Sequence, residues 1–207
     1  MKTFSWEVLN LEVSEQYLPL EDLKHLMSDY PLQYIVCGTC AIDLFLDDYT
    51  HTRELMGLTV SRDEAEMLGD YFISKNYGLL IQTPLNTFEE INADDIKRYN
   101  KYYVLDKTNN SKIIKVYIYE TKDEKWQFRH DQNIEIEDYK IYFHCLKYDV
   151  KYLRPEIQMM YNLYHELRQD DIYRYQRLVQ HLSYYQFFML RKVIGKEKLN
   201  QVILSDT

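Results

Sequence analysis

The chain has 207 residues, a formal net charge of −8 and a pI near 5.3. That length permits one large domain or two small ones around a real core. The acidic balance argues against a general DNA or RNA surface, which needs Lys and Arg to neutralise phosphates, but leaves room for a local basic pocket, a cationic small molecule or a basic protein partner. No apolar run approaches the roughly 18 residues of a membrane span, and Met1-Lys2-Thr3-Phe4-Ser5-Trp6-Glu7 lacks the apolar core of a secretion signal. Cys37, Cys40 and Cys145 make an odd count, which fits a reducing, cytoplasmic setting. Tyrosine is abundant, 21 residues against 5 Gly and 4 Pro, and its apolar body with a polar tip suits half-buried strands and helix faces.

In chain order, Leu20, Leu23 and Met27 predict a helix over 19–29 that Pro31 ends. Residues 33–37 predict a buried strand, Gly38 a tight turn and Thr39 an N-cap for a helix over 40–48. A second strand is predicted over 58–60. Ser61, with Glu64 three residues on, then predicts a capped helix to about Lys75, and 78–82 predict a third strand. The middle reads as strands over 102–106, 112–120, 127–129 and 139–146, joined by turns such as Asp106-Lys-Thr-Asn-Asn-Ser111. From Pro155 the period becomes helical, with Ile157, Met160, Tyr161 and Tyr164 on one face. Further helices are predicted over 170–181 and 184–194, the last stopped by Gly195. The expected fold class is α+β: a mixed α/β unit over 1–152 and a helical region over 153–207, with the boundary near Lys151–Arg154.

Strand, glycine turn and helix N-terminus at Cys37-Gly38-Thr39 form a natural anion site, because backbone N–H groups and the helix dipole face the ligand. Cys37-Gly-Thr-Cys40 is also formally C-x-x-C, but the surrounding chain does not read as a thioredoxin-like fold, and no second Cys or His pair stands at zinc spacing. Asp47, Asp48 and His51 read as a solvated helix end, Asp63, Glu64 and Glu66 as first-turn helix acids, and His130 and His144 as polar strand positions.

Ile35-Val-Cys-Gly-Thr-Cys-Ala-Ile-Asp-Leu-Phe-Leu46 resembles the opening motif of the aminoglycoside and lincosamide adenylyltransferases of the nucleotidyltransferase superfamily. That family continues with an Arg-x-His-x-Asp-Ile-Asp strand; here the strand reads Arg53-Glu-Leu-Met-Gly57-Leu-Thr59-Val60. Trp126-Gln-Phe-Arg129-His-Asp131 is similar to the family's Trp-x-x-Arg-Arg-Asp, and Tyr152-Leu-Arg-Pro-Glu-Ile157 to its Tyr-Leu-x-Pro-Glu-Ile. The resemblance, over about residues 33–182, implies a nucleotidyltransferase-like mixed sheet with flanking helices. It places Gly38 and Thr39 at the nucleotide and makes Asp43, Arg53, Glu54 and Arg129 cleft candidates.

The chemistry implied by the resemblance is interrupted. Nucleotidyl transfer clamps a triphosphate between divalent cations, which hard oxygen ligands must hold. The matching carboxylate positions are Gly57 and Thr59, which supply none. The stretch matching the third acid, Ile113-Ile-Lys115-Val-Tyr-Ile118, carries a lysine, and Asn162 and Gln169 stand where the family tends to place lysines. The expectation is therefore a protein of this fold without metal-dependent transfer and without a bound metal, which binds a small-molecule ligand or a protein partner in the old cleft. No nucleic acid or membrane partner is expected. An active adenylyltransferase, using Mg²⁺ and ATP on a hydroxylated small molecule, is the alternative if Glu54 and the Asp47/Asp48 pair hold metal. The segment Tyr184-Tyr-Gln-Phe-Phe-Met189 is apolar on more than one face, as in a buried or homodimer-facing helix.

Overall fold

A computed structural model describes residues 13–50, 54–164 and 169–204. In chain order the elements are β1 (Ser14–Glu15), α1 (Leu20–Leu26), β2 (Ile35–Cys37), α2 (Thr39–Phe45), β3 (Met56–Ser61), α3 (Arg62–Ser74), β4 (Tyr77–Gln82), β5 (Phe88–Glu90), β6 (Lys101–Asp106), β7 (Ser111–Lys122), β8 (Lys125–Phe128), β9 (Asp131–Glu137), β10 (Tyr142–Cys145), β11 (Val150–Leu153), and the helices α4 (Pro155–Tyr164), α5 (Gln169–His181), α6 (Tyr184–Ile194) and α7 (Lys196–Leu204). Short 3₁₀ turns lie at Ala93–Arg98 and Asp138–Lys140.

The strands form one mixed sheet in the order β10-β11-β2-β3-β7-β6-β4-β5, with β1 and β8 added on the long β7 and β9 on β8. Strand β2 runs antiparallel to β3 and parallel to β11, while β3 runs parallel to β7. Because side chains alternate along each strand, the two faces carry different sets. Val36, Leu58, Val116 and Val104 point to one face and pack with Leu23 of α1 and Leu68 and Phe72 of α3. On the opposite face, Ile35, Cys37, Tyr119 and Leu153 pack with Ile157, Met160, Leu163, Leu178, Leu190, Leu199 and Val202 of the C-terminal helices. The helical region therefore shares a core with the sheet.

Local chemistry accounts for several boundaries. Ser61 Oγ accepts from the Glu64 amide at 3.3 Å, and Ser183 with Gln186 forms a reciprocal capping box at the start of α6. The Arg62 guanidinium binds the Glu120 carboxylate with Nε and Nη2, and also meets the carbonyls of Lys97 and Tyr99 and the Asn100 amide oxygen, pinning the start of α3 to β7. Two expectations need correction, and several elements were not anticipated. Thr39 does not cap α2: Gly38 holds that position and Thr39 is the first helical residue. Gly195 ends α6 as expected, and its φ of 88° turns the chain into a further helix, α7, that was not anticipated. The predicted 139–146 strand is shorter, being preceded by a 3₁₀ turn, and β5, β9 and β11 were not anticipated. In α6, Gln186 and Leu190 turn inward while Tyr184, Tyr185 and Phe188 stay exposed. No helix among the described residues is long and apolar enough to cross a membrane.

Candidate functional site

The turn between β2 and α2 is built around Gly38, whose φ of 73° and ψ of −152° suit glycine and strain other residues. Its N–H, the group that would meet an anion, donates instead to Gln158 Oε1 of α4 at 2.7 Å. Gln158 Nε2 donates to Asn162 Oδ1 at 3.0 Å, and Asn162 Nδ2 donates to the Tyr175 hydroxyl of α5 at 2.5 Å. A side-chain relay thus runs from the turn through α4 to α5. The Thr39 hydroxyl donates to the Glu54 carboxylate, which brings one predicted cleft acid onto the turn.

The sheet register lays out the positions that the sequence resemblance sets against the family's carboxylates. Cys37 pairs with Gly57, Gly57 with Lys115, and Lys115 with Tyr103; two residues along, Ile35, Thr59, Tyr117 and Lys101 form the next row. Gly57 has no room for a side chain: a Cβ there would stand 2.7 Å from the Cys37 carbonyl oxygen and 3.0 Å from Cys37 Sγ. The buried Thr59 turns its hydroxyl to the Tyr117 carbonyl at 3.0 Å, so it is engaged within the sheet. Lys115 adds a positive charge that is felt at the Cys37 thiol.

The remaining acids lie around α2 and meet arginines of α5. Burial is the main cause pushing the Asp43 carboxyl up to about 6; Asp48 and Glu54 add to the shift, and Arg174 and Arg177 oppose it. Arg177 Nη1 binds Asp48 at 2.8 Å, and Arg174 Nη1 stands 4.0 Å from Glu54. Asp47 lies 3.8 Å from Lys147. Arg129 donates through Nη2 to the Ile118 carbonyl at 2.5 Å. Arg53 and His51 lie outside the described residues. Cys37 and Cys40 belong to the clusters on opposite faces of the sheet, and burial raises both thiols, which leaves no poised thiolate pair for redox chemistry.

The structure therefore brings Gly38, Thr39, Glu54 and Asp43 together, with Gly57, Thr59 and Lys115 beside them on the sheet. Gln158, Lys101, Arg174 and Arg177 escape a reading of the sequence, because a lone Gln or Arg on a helix and a lone Lys on a strand carry no local signal. The donor set does not fit a divalent-cation pair. Gly57 and Thr59 offer no carboxylate and Lys115 repels a cation, while Asp48 and Glu54 face arginines. Among the described residues, no group of three or more His, Cys, Asp or Glu is placed to hold a metal ion.

Sheet order and helical region define a nucleotidyltransferase-like fold, and comparison with solved structures agrees with that class. Two structures of the antibiotic-resistance factor ANT(2'')-Ia are similar to the chain. Its solution structure matches with a TM-score of 0.50 at 10% identity, over 90% of this chain and 88% of that one. Its crystal structure in complex with adenylyl-2''-tobramycin matches with a TM-score of 0.49 at 10% identity, over 90% and 93%. At that identity the likeness speaks for the fold alone. No protein-family model and no curated protein matches the sequence.

Proposed function

We propose that the chain is a nucleotidyltransferase-fold protein that does not carry out metal-dependent nucleotidyl transfer and instead binds a ligand in the cleft beside the Gly38 turn. Residues 1–152 form the α/β unit in this reading, and 153–207 the helical wall packed on it. The observation that carries the proposal is the crowding at Gly57, where the first metal ligand would stand: the Cys37 backbone occupies the space a Cβ would need. Lys115 in the adjoining register position and Gln158 on the Gly38 amide point the same way. The test is pyrophosphate release from ATP with Mg²⁺ across a panel of hydroxylated, cationic small molecules. The expected result is no turnover above a protein-free control; sustained turnover that depends on Mg²⁺ overturns the proposal.

One observation favours a second reading, an active adenylyltransferase: Glu54 is held on the turn by Thr39, next to the half-buried Asp43. If this pair supports transfer, Glu54→Gln and Asp43→Asn each abolish the measured activity. Activity that survives both substitutions removes that reading.

A further inference from the structure

Beside the Gly38 turn, a strip of the sheet lies between two apolar clusters, buried on β3 at Gly57 and Thr59 and partly exposed at Lys101, Lys115 and Tyr117. On one side Ile35 and Cys37 are covered by the C-terminal helices. On the other Leu80, Tyr103 and Leu105 pack with Val13, Leu55 and Phe88. Between them the rows Gly57–Lys115 and Thr59–Tyr117–Lys101 cross the sheet. Three ammonium groups converge on the ring of Tyr103, with Lys101, Lys112 and Lys115 Nζ at 5.3, 5.2 and 5.9 Å from its centroid. Lys115 also lies 5.3 Å from the centroid of Tyr117, a ring that remains 38% exposed.

Only part of this charge is compensated. Lys112 is buried and pairs with Glu15 at 3.1 Å. Among the described residues, neither Lys101 nor Lys115 forms an ion pair, and both are half-buried. Burial, followed by the charges of Lys115 and Lys112, pulls the Lys101 ammonium below the usual lysine range, so holding these groups together opposes their ionisation. Ring contacts recover some of that cost, but only an anion removes the repulsion. This is a concentrated positive patch in a chain whose net charge is −8.

We infer that Lys101 and Lys115 form a metal-independent site for a multiply charged phosphate-type anion, with the lysines supplying the positive charge that divalent cations would otherwise provide. The inference rests on the reading of the cleft as a binding site and names its ligand class. Two uncompensated charges at one strip select a polyvalent anion over a singly charged one.

The test is calorimetric titration of the intact chain with tripolyphosphate in EDTA. Binding is expected without metal. It is expected to weaken when Mg²⁺ is added, because the cation competes with the lysines for the phosphates. Lys101→Gln and Lys115→Gln should each weaken it about tenfold or more. A second readout needs no variant: in the native chain, tripolyphosphate should protect Lys101 and Lys115 from an amine-reactive label, as read by mass spectrometry. No binding in EDTA, binding that requires Mg²⁺, or labelling at both lysines unchanged by tripolyphosphate overturns the inference. Turnover of ATP with Mg²⁺ would instead overturn the proposed function, so the two failures are distinguishable.

Discussion

At Gly57 the sheet leaves no room for a Cβ, so any side chain there, a metal ligand included, requires the backbone beside it to shift. Restoring a carboxylate by Gly57→Asp is expected to destabilise the fold rather than create a metal site, since the contact at 2.7 Å is with backbone. Gly57→Ala should already cost about 1–3 kcal/mol, the range for forcing extra atoms into a packed interior, measured by urea unfolding. Asp43 provides a test of opposite sign. Its carboxyl titrates near 6 in the folded chain against an ordinary value of 3.8. Between those values the folded state holds a proton that the unfolded state has released, so this contribution to stability falls as pH rises through the window and stays lost above it. Asp43→Asn should therefore raise stability at pH 7 by about 1 kcal/mol after allowance for solvent screening, and change it little at pH 4. Melting temperatures at the two pH values check this.

Strands β2 and β3 and the turn between β2 and α2 were legible because their signals are local: a short apolar run, a glycine at positive φ and a serine cap. The N-cap was misplaced by one residue, and the role of Thr39 changed with it. Gln158, 120 positions from Gly38, was not legible, because nothing near it in the chain marks it as a partner for that amide. Helix α7 was missed because Gly195, which does end α6, was not expected to lead directly into another helix. The short β5, β9 and β11 are fixed by their sheet neighbours more than by their own residues. Element packing also rests on a buried polar cluster at the start of α4. Glu156, 1% exposed, pairs with Arg154 and accepts from Gln186 Nε2 of α6 at 2.7 Å. Glu156→Ala leaves the Arg154 charge and the Gln186 amide without that partner, and should cost about 3–5 kcal/mol, read by urea unfolding. Gln158→Ala strands the Gly38 amide and the Asn162 oxygen, and should cost about 1–3 kcal/mol, with faster hydrogen exchange at Gly38.

Over the whole molecule, the fold resemblance stated from the sequence agrees with the mixed sheet and helical region. The sequence already singled out Gly57, Thr59 and Lys115. It did not carry the crowding at Gly57, the relay from Gly38 to Tyr175 or the convergence of lysines on Tyr103, all of which depend on strand register and helix docking. The exposed Tyr184, Tyr185 and Phe188 bear on the choice, left open by the sequence, between a helix buried in the monomer and one facing a homodimer partner; the mass in solution from light scattering tests it, and a monomer at all concentrations removes the dimer. The central claim is that this cleft has no use for a divalent cation. The most direct measurement is calorimetry of ATP binding in Mg²⁺ and again in EDTA. The account predicts that Mg²⁺ does not strengthen binding; tight ATP binding that appears only with Mg²⁺ would contradict it.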